Sequence, residues 1–432
     1  MPTSRRVLTE ADVHRFVEER CFPTGTRRVG AELEWFVTGA ASHHEASEAA
    51  GEGPFPGGST LTFEPGGQIE LSSPTLADAG ATWSALRLDS AELSRRLGTV
   101  GAGLLAVGVH PDRVPRRVLR QPRYDAMETY WSEVGEDEPG AGLAMMCTTA
   151  AVQVSLDAAT DAPGAGRDSR WRLAHALSPV LGAAFANSPV ALGQATGWRS
   201  TRLGIWEALD RTRTSPALRT GRAVDDWAAY LLDANVMLVR DVGTYHPLRR
   251  AFPFGRWLAE GHELGWPDLD DLVYHLSTVF PPVRAKGWLE LRCMDAVAAP
   301  WWPVPIAVAA GLLDDPEAAD EAALVTGRAS WCWCEAPRWS LSYGPLADAA
   351  RCCFALASAG LTRLGMPPEL IGLVDAYRER YVDPGRCPAD DTLDRLAEES
   401  GRRVAEEAGD TGSPAEVPPH GWARPAGEPV AG

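Results

Sequence analysis

Four short stretches of this chain share one pattern, and that pattern limits what the chain can fold into. In AELEWFV, Ala31, Leu33, Trp35 and Val37 alternate with Glu32 and Glu34. In TLTFEPGGQIELS, Thr60, Thr62 and Glu64 share a face before a Pro65-Gly66-Gly67 reversal, and Gln68, Glu70 and Ser72 share one after it. In AVQVSLD, Val152, Val154 and Leu156 oppose Gln153, Ser155 and Asp157; in GWLELR, Leu289 and Leu291 oppose Glu290 and Arg292. Strict alternation is the period of a strand that buries one face. The Pro-Gly-Gly run supplies a turn in which glycine takes positive φ freely. The sequence therefore predicts strands that cover a core on one side and gather acidic side chains on the other.

The remaining segments mix helix and strand without βαβ alternation, which predicts an α+β fold with a largely antiparallel sheet. Helices are expected over 9–21, capped by Thr9, over 76–97, and in WRLAHALSPVLGAAFANSP. GLLAVGVH reads as a buried strand. The Gly-, Ala- and Ser-rich stretch 39–59 reads as a surface loop, its His43 and His44 solvated rather than metal-bound; 111–142 and the Trp- and Arg-rich 193–215 also read as loops. Ala-rich helices follow from Pro303. One catalytic domain is expected over 1–405, with its motif-bearing core at about 25–300 and a helical part at about 303–405, followed by a disordered Pro/Gly/Glu tail at 406–432.

A net charge of −17 and a pI near 5.0 argue against nucleic acid or an anionic membrane as the main partner. They leave room for an anionic small substrate at a site that is locally positive or filled by metal. The first residues, MPTSRRVLTEADVHRF, lack the apolar core of a secretory signal, and no run of about 18 apolar residues occurs. The eight cysteines form no CxxC pair, so reduced thiols in the cytoplasm are expected. Lys286 is the only lysine in the chain.

Like charges on neighbouring strands repel. Any one acidic strand is explained by a polar face turned to water. Glutamates recurring on all four are better explained by divalent cations among them. Mg²⁺ takes carboxylate oxygens and keeps positions for water and phosphate oxygens. Carboxylates, metal, arginine and one lysine on a single face point to a nucleoside triphosphate site. Neither a GxxxxGK[ST] loop nor a kinase signature is present.

Seven stretches occur in the order found in one known family: GAELEWF, EPGGQIELS, RYDAMETY, CTTAAVQVSLD, SPVLGAAFANSP, GWRSTRLGIWEALDRTRT and HLSTVFPPVRAKGWLELRCMD. On these the chain resembles the glutamate–cysteine ligases of the plant and proteobacterial type. The resemblance implies a glutamine-synthetase-like antiparallel sheet, ATP and Mg²⁺ as cofactors, and formation of γ-glutamylcysteine, here for ergothioneine biosynthesis. It implies small-molecule partners only: L-glutamate, L-cysteine and ATP. By position it makes Glu32, Glu34, Glu64, Glu70 and Glu290 metal ligands, with Glu70, Glu290 and Arg292 at the chemistry. Lys286 and Arg292 are the candidates for phosphate contacts. Gln153 and Ser155 stand where wider relatives often carry histidine, and are assigned to cofactor or substrate contact rather than metal. Arg202, Arg213 and Arg240 are the options for holding the glutamate α-carboxylate. Tyr124 and Trp206 would wall the pocket, and Asp210 would orient an arginine or the incoming amine. Two alternatives remain open: the same chemistry with another amine acceptor, and a Mg-dependent kinase or phosphohydrolase.

Overall fold

The alternation of the acidic stretches is realised as neighbouring strands of one sheet. A computed structural model describes residues 7–135, 137–241 and 243–408, with side chains as far as 400. The sheet strands are β1 (Val29–Gly39), β2 (Thr60–Phe63), β3 (Ile69–Ser72), β4 (Ala102–Leu105), β5 (Ala151–Asp157), β6 (Val283–Ala285) and β7 (Trp288–Asp295). They form a seven-stranded sheet in the order β6-β7-β5-β1-β3-β2, and β4 pairs with the outer part of β1 from Phe36 to Gly39. Every pairing in it is antiparallel.

Register turns the polar residues into cross-strand rows. Thr62, Glu70 and Glu34 lie side by side across β2, β3 and β1. Ser72, Glu32 and Gln153 do so across β3, β1 and β5. Gly30, Ser155, Glu290 and Arg284 complete the next row across β1, β5, β7 and β6. The β2–β3 reversal closes with the Gly67 amide donating to Glu64 O (2.8 Å) and the Glu64 amide to Gln68 O (2.9 Å). Gly67 takes φ 84°, where glycine is favoured. Gly66 is needed for another reason: a Cβ there would run into the backbone of Cys147.

Around the sheet the chain forms α1 (His43–Ala50), α2 (Ala79–Gly98), α3 (Pro122–Tyr130), α4 (Ala141–Thr148), α5 (Arg167–Ala184) and α6 (Thr201–Glu207). Later come α7 (Pro303–Asp314), α8 (Glu335–Trp339) and α9 (Gly344–Arg363). The apolar strand positions Leu33, Ile69, Leu71, Val154, Leu156, Leu289 and Leu291 are all buried in one core with α5, α7 and α9. Each such side chain contributes about 1.5–3 kcal/mol by leaving water. Every residue of α7 is buried, and the helix is apolar on every side except at its last residue, Asp314, which pairs with Arg170 (2.9 Å). The polar face is roofed too. Met127 and Tyr130 of α3, Met145 of α4 and Ile205 of α6 belong to a second, smaller apolar cluster, and the acidic rows face a cleft beneath it.

Three expected loops are partly helical. Within 39–59, α1 starts at a capping box: Ser42 Oγ accepts from the Glu45 amide (3.3 Å) and the Glu45 carboxylate accepts from the Ser42 amide (2.8 Å). Within 111–142, Pro122 opens α3 and a left-handed Gly140 precedes α4. Within 193–215, Ser200 caps α6, and Asp210 caps the short helix Arg211–Thr214. The strand expected in GLLAVGVH is confined to β4. Most of the expected tail, from 409, lies outside the described residues. Among the described residues no helix is long and apolar enough to cross a membrane.

Candidate active site

The cleft encloses about 280 Å³. Its floor is the polar face of the sheet, where Glu32, Glu34, Glu64, Glu70 and Gln153 line it together with Arg284 and Arg292. Arg123, Tyr124, Arg202, Trp206 and Phe280 enter from the elements above. Residues more than two hundred positions apart in the chain thus meet on one wall.

The floor is a relay of hydrogen bonds. Glu34 accepts from the Ala151 amide (2.8 Å) and from Gln153 Nε2 (2.9 Å). Gln153 Oε1 in turn accepts from Arg292 Nη1, and that nitrogen also donates to Glu290 Oε2 (2.9 Å). Glu70 takes two hydroxyl donors on a single oxygen: Thr62 Oγ1 and Ser72 Oγ both lie 2.8 Å from Oε1. Gln68 donates to Thr149 O (2.9 Å), which fixes the hairpin to the end of α4; its Oε1 is buried without a partner at the cleft.

Charge is distributed unevenly along this wall. Glu290 is fully buried and faces three cations: Lys286 Nζ at 2.5 Å, Arg284 Nε at 2.7 Å and Arg292 Nη1 at 2.9 Å. Burial pushes its carboxyl up, but Arg284, Arg292 and Lys286 outweigh burial and hold it well below the usual carboxylate range. The opposite end is compensated only in part, by more distant arginines and Lys286. Burial, then the Glu290 and Glu70 charges, push Glu32 up to about 7. Burial and Glu70 push Glu64 up to about 7, and burial with Glu70 and Glu64 holds Glu34 well above its ordinary value. Among the described residues no group of three or more His, Cys, Asp or Glu side chains closes into a ready-made metal site.

The cations above the floor are positioned by named contacts. Asp295, at the end of β7, accepts from Ser188 Oγ (2.7 Å) and Ser200 Oγ (2.9 Å), which sets the start of α6. Arg202, two residues on, is 3% exposed and donates through Nη2 to Arg292 O (3.0 Å); its Nη1 makes no hydrogen bond among the described residues and lies 3.8 Å from Asp295 Oδ1. Trp206, one turn later, packs on Phe280 with ring centroids 5.3 Å apart.

Several expected residues lie elsewhere. Arg213 is buried and donates to the carbonyls of Asn235 and Thr278, so it is a structural arginine. Arg240 is exposed, stacks over Tyr274 at 4.2 Å and donates to Asp270 O (2.8 Å). Asp210 caps a helix, accepts from Tyr130 Oη (2.5 Å) and takes Asn235 Nδ2 (3.0 Å). None of the three lines the cleft. Ser155 sits in the Glu290 row, off the cleft lining, and Lys286 reaches the site only through Glu290. Glu290 itself is behind Arg284 and Arg292, so it contacts protein cations where a metal was expected.

The expectations missed Arg123, Arg284 and Gln68. Arg284 had a readable signal: the Lys286-Gly287 reversal places it opposite Glu290 in an antiparallel pair. Arg123 adjoins Tyr124 in RYDAMETY; its Nε is buried without a partner.

The fold is thus α+β, with an antiparallel sheet whose polar face is a roofed wall of carboxylates and arginines. The crystal structure of a glutamate–cysteine ligase from Francisella tularensis in complex with AMP shares this fold, with a TM-score of 0.54 over 89% of each chain at 12% identity. Residues 28–408 match glutamate-cysteine ligase family 2 (GCS2), and the chain belongs to that family. It is 41% identical over 354 residues to the glutamate–cysteine ligase EgtA of Mycobacterium tuberculosis, covering 79% of this chain and 78% of that one. Against EgtA of Mycolicibacterium smegmatis the identity is 42% over 347 residues, 79% of each.

Proposed function

We propose that the chain joins the γ-carboxylate of L-glutamate to the amine of L-cysteine at the expense of ATP, giving γ-glutamylcysteine for ergothioneine biosynthesis in the cytoplasm. Family membership and the EgtA relatives support the reaction. The observation that carries the site is the acidic end of the floor, where four carboxylates line one cleft without a cation in direct contact among the described residues, and Glu32 and Glu64 are pushed up to about 7 beside Glu34 and Glu70.

Those four carboxylates suit Mg²⁺, which is commonly held by one or two carboxylates with substrate phosphates completing its shell. When bound, Mg²⁺ would neutralise phosphate charge as the phosphoryl group moves. Glu290 can join such a shell only after Lys286 or Arg292 turns away from it. Those two cations are our candidates for the transferred phosphate, Arg292 by its planar fork and Lys286 as a point charge.

Carboxylates are poor electrophiles. The glutamate γ-carboxylate oxygen first takes the γ-phosphoryl group of ATP, releasing ADP. The cysteine nitrogen then attacks the acyl carbon, phosphate leaves with the bonding pair, and the nitrogen loses a proton. Arg202, buried at the cleft with Nη1 free of hydrogen bonds among the described residues and 3.8 Å from Asp295 Oδ1, is our choice for the glutamate α-carboxylate. Tyr124 and Trp206 wall the pocket, and Gln153 keeps Arg292 and Glu34 in register.

The test is mass spectrometry of the product from glutamate, cysteine and Mg·ATP, alongside ADP release with other amino acids in place of cysteine. Phosphate release without any amine would instead favour a phosphohydrolase. Faster ADP release with another amine would reassign the acceptor.

A further inference from the structure

A cavity of about 490 Å³ lies outside the catalytic cleft. Its walls are α6, the segment at Asp137 and Glu138, and α8. The Asp137 amide donates to Ala208 O (2.8 Å), and the amides of Arg199 and Ser200 donate to Pro337 O (3.0 and 2.8 Å), so the walls are tied together. Helix α6 serves both sites: Arg202 and Trp206 line the cleft, while Thr201, Gly204 and Glu207 line this cavity.

The cavity holds charges that the ligase chemistry does not use. Glu207 Oε1 is buried and has no hydrogen-bond partner among the described residues. Burial pushes this carboxyl up to about 7, with Arg211 and Arg338 offsetting only part of the effect. The Arg338 guanidinium lies 4.8 Å over the Trp198 ring, which holds it in place at the cavity wall, and Arg211 lines the same space. An orphaned buried acceptor is costly unless something donates to it. A donor for Glu207 and an acceptor for two arginines, within one volume of ligand size, describe a molecule carrying both charges.

We propose that this cavity is a second small-molecule site, taking a zwitterion whose ammonium group meets Glu207 and whose carboxylate meets Arg338 and Arg211. Because Trp206 and Glu207 are consecutive on α6, occupancy alters glutamate binding in the cleft.

Cys334 is exposed and lines the cavity, which gives a local readout. Its rate of alkylation by iodoacetamide, followed by mass spectrometry, is measured on the full chain with exposed Cys352 as internal control. The probes are the standard L-amino acids and γ-glutamylcysteine, each in millimolar excess. At least one probe slows Cys334 labelling and leaves Cys352 unaffected. Its half-saturating concentration rises roughly tenfold to hundredfold in Glu207→Gln, the loss of one charge-assisted hydrogen bond. The same probe shifts the KM for glutamate in the wild type but not in Glu207→Gln. The proposal is overturned if no probe protects Cys334, if protection survives both Glu207→Gln and Arg338→Gln, or if it disappears in Glu70→Gln, which would place the probe in the cleft. An unmoved glutamate KM would overturn the coupling through α6. Protection needs no turnover, so its failure is separable from failure of the ligase assignment.

Discussion

Binding of a magnesium nucleotide should expel protons, and the number follows from the floor of the cleft. Glu32 and Glu64 are both pushed up to about 7, so at pH 7 each is about half protonated in the free protein. Metal ligands must be ionised. Fixing these two as carboxylates therefore releases about one proton at pH 7, with Glu34 adding to it, and nearly none from the pair at pH 8.5. Between pH 8 and pH 6 the affinity for Mg·ADP falls about tenfold for each group that must ionise, about a hundredfold for the pair. Calorimetry in two buffers of different ionisation enthalpy gives the proton count directly. Glu64→Gln removes about half a proton at pH 7, and the nucleotide's own protons cancel in that difference. The sign extends to stability. A carboxyl raised from 4.5 to about 7 favours the folded state while protonated, so this contribution is present below pH 4.5 and is lost as pH rises through 7. Magnesium nucleotide restores the loss. Glu290, held low by its cations, runs the other way, and its contribution is lost on acidification below 4.5. Equal proton counts for wild type and Glu64→Gln, or an affinity flat from pH 6 to 8, would refute the reasoning.

The remaining predictions concern single side chains. Glu70→Gln keeps the Thr62 and Ser72 partners, so the melting temperature should hold while ADP release drops by roughly 10²-fold or more; near-normal turnover at saturating Mg²⁺ removes Glu70 from the site. Arg202→Lys retains a buried cation but loses the planar fork, so the KM for glutamate should rise roughly tenfold or more with the KM for ATP unchanged. Arg213→Met strips donors from two buried carbonyls and should cost about 3 kcal/mol in denaturant unfolding, leaving the glutamate KM of the folded fraction intact; a raised KM would return Arg213 to substrate binding. Gly66→Ala forces the β2–β3 reversal away from Cys147, displacing Glu64, and should raise the KM for Mg·ATP more than it lowers the melting temperature.

How far the sequence could be read depended on the range of the interaction. Alternation is local, so the strands, the hairpin and the acidic face were legible residue by residue, down to Glu64 and Glu70 on one side of the turn. Helix starts were legible in principle as well: Ser42 and Glu45 form a written capping box that the surrounding Gly and Ala obscured. The roles of the arginines were not. Arg202 and Arg213 are eleven positions apart in one matching block, yet one lines the cleft and the other ties the carbonyls of Asn235 and Thr278. That choice is made by contacts across tens of residues, which no local pattern encodes.

The same distinction explains why a wall of glutamates is tolerated. Repulsion among five carboxylates predicts cations, but not whose. At the Glu290 end the protein supplies them from β6, β7 and the turn between: Arg284, Arg292 and Lys286. At the Glu32, Glu34, Glu64 and Glu70 end no cation among the described residues is in direct contact, and the carboxyls of Glu32, Glu34 and Glu64 are pushed up. A uniformly neutralised wall would bind neither metal nor phosphate. One end short of positive charge and one end rich in it give the cleft a direction: a cation on the first, an anion drawn to the second, and Gln153 bridging Glu34 to Arg292 between them.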